Sequence, residues 1–70
     1  MTNAEIHIAY LSKKSKFTVM VLKVKDVYEY YVRDDKDLFT FDFIFGCYDI
    51  SDDLIATAIH YFIDLHKDEL

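Results

Sequence analysis

Residues Phe17 to Val24 form a run of strand-forming side chains that is apolar on both faces, with Phe17, Val19 and Val21 on one and Met20, Leu22 and Val24 on the other. A strand of this kind is normally central and covered on both sides. In a chain of 70 residues that condition is hard to meet, because only the last segment adds a helix-spaced apolar stripe to the strand-like runs. One face of the sheet gets a helix. The other must find its cover elsewhere.

The flanking segments supply the rest of the sheet. Glu5 to Tyr10 alternates polar and apolar residues, placing Ile6, Ile8 and Tyr10 on one face of a half-buried strand. Ser12-Lys13-Lys14-Ser15-Lys16 reads as a solvated turn. The segment Asp26 to Arg33 has strand propensity in Val27, Tyr28, Tyr30, Tyr31 and Val32. Helical spacing of Val24, Val27, Tyr28 and Tyr31, a capping-box-like Asp26/Glu29 pair and an unsuitable Lys25-Asp26 hairpin turn leave a helix open there. Asp34-Asp35-Lys36-Asp37 is a charged turn. Leu38 to Phe45 follows as a strand with Phe39, Phe41, Phe43 and Phe45 on one face and Leu38, Thr40, Asp42 and Ile44 on the other, ended by Gly46.

The final segment is helical. Ser51 is a suitable N-cap, Asp52 and Asp53 complement the dipole of the first turn, and Ile50 and Ile55 sit at staple positions. Leu54, Ile55, Ala58, Ile59, Phe62 and Leu65 make the apolar stripe, with Asp53, Thr57, His60, Asp64 and Lys67 facing away. Strands first and one helix last predict an α+β fold. The expected architecture is one domain over residues 1–70, a four-stranded antiparallel meander with the C-terminal helix on one face. That helix is expected to lie on the phenylalanine ladder, making Phe41 and Phe43 core.

Four strands about 4.8 Å apart make a sheet nearly 20 Å wide, whereas one helix covers a band of about 10–12 Å. The uncovered face carries apolar residues from Phe17–Val24 and, in this reading, tyrosines from Tyr28 to Tyr31. Either tyrosine hydroxyls and lysine stems keep it wet enough, or a second copy or another protein docks there. A chain this short buries only about 60% of its unfolded surface, and its single cysteine, Cys47, rules out an internal disulfide. Association is the remaining way to add stability.

With 53% hydrophobic residues the chain is too apolar for disorder. No apolar run approaches the roughly 20 residues of a membrane span, and Met1-Thr2-Asn3-Ala4-Glu5 does not open a signal peptide. The expected location is cytoplasmic, or the host cytoplasm for a phage protein. A bias toward Lys, Ile, Asp, Tyr and Phe, with one Gly and no Pro, fits an AT-rich genome.

Catalytic patterns are lacking. His7, His60 and His66 do not have metal-ligand spacing, and the i, i+4 pair His60 and Asp64 suits a solvated helix surface. Asp34-Asp35-Lys36-Asp37 lacks the ligand alternation and glycine of a calcium loop. Cys47 reads as a small buried filler after the last strand. No glycine-rich loop is available to cradle phosphate. No enzyme activity, metal or cofactor is expected. The terminal Lys67-Asp68-Glu69-Leu70 spells an ER-retention address that chance explains in an acidic helix end.

Charge is the remaining signal. Residues 1–33 carry six basic side chains against three acids, and residues 34–70 carry ten acids against two lysines, together a net charge of −5. Lys13, Lys14, Lys16, Lys23 and Lys25 could contact phosphates, but the neighbouring acidic half opposes direct nucleic-acid binding. The resulting expectation is a small acidic protein that binds a basic host protein, as a phage or mobile-element inhibitor able to mimic nucleic-acid phosphates. Asp34, Asp35, Asp37, Asp42, Asp52 and Asp53 are the candidate contacts, with Tyr28 and Tyr30 from the sheet. The alternative is a homodimeric structural or regulatory module whose partner is itself.

Overall fold

Alternating and two-sided apolar runs become four strands and one helix: β1 (Ile6–Lys14), β2 (Phe17–Val24), β3 (Val27–Asp34), β4 (Asp42–Cys47) and α1 (Asp52–Leu65). The structure, a computed structural model, describes residues 6–37 and 40–68. Leu38 and Phe39, Glu5 and the terminal Glu69-Leu70 therefore lie outside the described residues. The sheet is an antiparallel meander in the order β1-β2-β3-β4, with α1 packed on β2, β3 and β4. The α+β architecture expected from the sequence is the one observed. No helix among the described residues is long and apolar enough to cross a membrane.

The ambiguous segment is a strand. Val27 pairs with Val24 across a two-residue turn whose first residue, Lys25, takes a φ of 59°. The β1–β2 turn repeats the device at Ser15, with φ 60°. Left-handed backbone costs an L-residue roughly 1–2 kcal/mol. Cross-strand pairing of the β-branched and aromatic residues on either side outweighs that strain, so a turn unsuited by residue type forms anyway.

Two bulges decide which side chains reach the core. In β1 the register slips at Ala9, between the pairs Ile8–Leu22 and Tyr10–Val21. Ile6 and Ile8 consequently share the face of Leu22 and Val24, while Tyr10 turns to the helix side and packs against the core. The single face expected for Ile6, Ile8 and Tyr10 is thus broken. In β4 the slip falls at Ile44, between Tyr30–Phe45 and Tyr31–Phe43. Ile44 and Phe45 pack toward the core, whereas Phe43 lies on the opposite face and is 52% exposed. An extra residue reverses the facing of everything beyond it.

The phenylalanine ladder accordingly does not exist as one surface. Phe43 is not core, and Phe41, half-buried before β4 begins, stacks with its ring centroid 4.9 Å from the Arg33 guanidinium carbon. The strand is also displaced from its expected span: it starts at Asp42 and continues through Gly46 to Cys47. Gly46 pairs with Glu29, and a Cβ there would sit 3.2 Å from a Val27 methyl, so a glycine suits this close approach.

The core is Phe17, Val19 and Val21 from β2, Tyr30 and Val32 from β3, and Ile55, Ala58 and Phe62 from α1. Phe17 meets Phe62 edge to face at 5.5 Å between ring centroids. The Ser51 cap forms as expected, its hydroxyl oxygen accepting from the Leu54 N–H at 3.2 Å. Ile63 joins the packed stripe in place of Leu65, which is exposed.

Phe62→Ala should cost about 3–5 kcal/mol by emptying this contact, while Phe43→Ala should cost under about 1.5 kcal/mol. Chemical denaturation of both variants in dilute solution checks the assignment. A larger loss at Phe43 would mean that the helix covers the other face.

Candidate protein-binding face

Opposite the helix, the sheet presents a bare surface whose make-up follows from the strand register. Its outermost row is polar: Lys13, Thr18 and Arg33, with Phe41 beside them. Next come Leu11, Met20, Tyr31 and Phe43. The third row is Ile8, Leu22, Glu29 and Gly46, and the fourth Ile6, Val24 and Val27. Nothing among the described residues crosses this face. Ile6, Ile8 and Leu11 are 60%, 62% and 56% exposed, and seven of the nine β1 residues are exposed.

Lysine stems do not cover it. Lys14, Lys16 and Lys23 extend over the rings of Tyr10, Phe17 and Tyr28, all on the helix side. Nor does a row of tyrosines wet the open face. Tyr31 is the tyrosine there, its ring edge to face with Phe43 at 5.5 Å and its hydroxyl donating to Glu29 at 2.9 Å. Burial and that bond to Glu29 raise the Tyr31 pKa.

Tyr30, a candidate contact from sequence, is fully buried under the helix and cannot touch a partner. Its hydroxyl donates to the Asp49 carbonyl at 2.8 Å, and burial pushes its pKa up to about 12. Tyr28 is half-buried, also on the helix side. Both residues belong to the core side. Phe43 escapes sequence reading as a surface residue because the bulge at Ile44 hides its facing, whereas Met20 lies on the side of β2 that the alternation assigns it.

The acids do not converge. Asp42 accepts from or pairs with His66 Nε2 at 2.7 Å beyond the end of α1, whereas Asp52 and Asp53 occupy its start. A 14-residue helix, about 21 Å long, separates them. Asp34, Asp37 and Asp42 line a cleft of about 330 Å³ together with Lys16, Lys36 and His66, a mixed rather than acidic surface. Asp35 is engaged internally, 2.7 Å from Lys13 Nζ and accepting from the Thr18 hydroxyl at 2.8 Å, with Arg33 at 4.0 Å.

Hairpin folding explains this. The lysine turn and the aspartate turn are adjacent at one end of the sheet, where Phe17 pairs with Asp34 and the Asp35 N–H donates to the Lys16 carbonyl at 3.0 Å. Opposite charges from the two halves of the sequence are brought together. Among the described residues, no three His, Cys, Asp or Glu side chains gather to hold a metal ion. Cys47, half-buried, ends β4 and donates its thiol to the Asp49 carbonyl at 3.3 Å.

No known protein family matches this chain, and no curated protein or solved structure matches it.

The bonds from Lys13 and Thr18 hold the Asp35 pKa below its ordinary 3.8. A lowered folded-state value means that Asp35 favours the folded protein above the ordinary value and stops doing so as pH falls through the lowered one. Asp35→Asn should therefore flatten the acid limb of the melting-temperature profile and leave its shape near neutrality unchanged. A variant with the wild-type acid limb would show that these bonds contribute nothing.

Proposed function

We propose that this protein acts by binding another protein through the open face of its sheet, without catalysing a reaction. One observation carries the reading: three of the four rows on that face are largely apolar and lack cover within the described chain. Monomeric proteins seldom leave a contiguous apolar patch larger than a few hundred Å². The site needs no cofactor or metal, since what it offers a ligand is shape and apolar area.

A second reading rests on Asp52 and Asp53, exposed at the start of α1 on the helix side of the sheet. In it, the acidic chain occludes a basic host protein, as a mobile-element inhibitor imitating nucleic-acid phosphates would. Proximity labelling separates the two. A photo-crosslinking residue replacing Leu11 or Phe43 should give protein adducts in cells, and one replacing Asp53 should not. Adducts from position 53 only would transfer the function to the acidic helix start, and silence at all three positions would sink both readings.

A further inference from the structure

We infer that the occupant of the open face is a second copy of this chain, packed sheet to sheet so that two helices lie outermost. The inference rests on the reading that this face binds protein, and four observations select the partner.

The first is size. Four rows of residues on strands about 4.8 Å apart project to roughly 26 Å by 19 Å, about 500 Å², and protruding side chains add to that. A stable interface buries about 800 Å² on each partner, so nearly the whole face must be used. A docked helix, about 10–12 Å across, would leave almost half of it wet. Another four-stranded sheet matches it edge to edge.

The second is charge. Lys13 and Arg33 on this face are balanced by Asp35 and Glu29, although the chain as a whole is at −5. A neutral surface can meet its own copy without like-charge repulsion, as an isologous two-fold contact requires.

The third is where the exposed acids of the helix lie. Asp52, Asp53 and Asp64 are exposed on α1, on the far side of the sheet. Sheets stacked about 10 Å apart, each with a helix layer beyond it, would hold those acids roughly 30 Å from their copies, several Debye lengths at physiological salt. Face-to-face pairing is the arrangement that separates them most.

The fourth concerns the rival contact. β1 is an open edge, and edges invite strand pairing with another copy. Its ladder is interrupted at Ala9, and Lys13 and Lys14 stand at its end. A bulged, lysine-ended strand is a poor template for extending the sheet.

Sedimentation equilibrium over a dilution series, with thermal melts at each concentration, tests this. The wild-type chain should approach twice its 8.3 kDa mass as concentration rises, and its melting temperature should rise too. Leu11→Lys/Phe43→Lys changes two exposed positions, so it should retain the wild-type circular dichroism yet sediment as single chains. Ala56→Lys, on the outer helix surface, should still dimerise. A wild-type chain that stays at the monomer mass, or a dimer that survives the double lysine variant, overturns the second copy as occupant. Crosslinks from Leu11 to a different protein beside a monomeric wild type would remove this inference only. Absence of both crosslinks and dimer would remove the binding reading with it.

Discussion

The packing of Ile55, Ala58 and Phe62 of α1 onto the buried side chains of β2 and β3 is the interaction on which the rest of this structure depends. It uses the one helix that the described chain contains, and it commits that helix to one side of β2. The same helix lies over β3 and β4, while β1 extends beyond it. The reverse side of β2 gets no helix as a direct result, and its Thr18, Met20, Leu22 and Val24 stay half-buried. The exposed face is not a separate feature added to the fold; it is the remainder after a single helix has been spent on a two-sided strand.

Much of this was legible in the sequence. A run apolar on both faces and a 3.6-residue apolar period are enough to find β2, the helix from Asp52 and its Ser51 cap. The surplus of apolar surface over cover could also be read from β2 together with the helix width. Facing on the edge strands could not. Ala9 and Ile44 each add one residue to a ladder, and nothing about an alanine or an isoleucine announces a bulge. Those two slips turned Ile6, Ile8 and Phe43 outward, and with them the composition of the candidate face changed. Tyr30 illustrates the reverse error: within a tyrosine-rich segment it looked like a contact residue, yet it is buried and spends its hydroxyl on the Asp49 carbonyl.

Charge along the chain proved a poor guide to charge in space. A meander places sequence-distant turns side by side, so the lysine turn before β2 and the aspartate turn after β3 meet at one end of the sheet. Lys13 and Asp35 satisfy each other there rather than forming two poles. The rest of the acidity is spread over the turns, the cleft beside His66 and the helix α1. Such a surface has no single acidic pole, and it leaves the sheet face as the feature most in need of a physical account.

The central claim is that this face is occupied in solution. Methyl NMR of the wild-type protein with a soluble paramagnetic agent reads it most directly, residue by residue. At high protein concentration the methyl groups of Ile8, Leu11, Leu22 and Val24 should be shielded from the agent, and dilution should expose them, while the Val19 and Val21 methyls stay shielded throughout. Full accessibility of the first four methyl groups at every concentration would contradict the account.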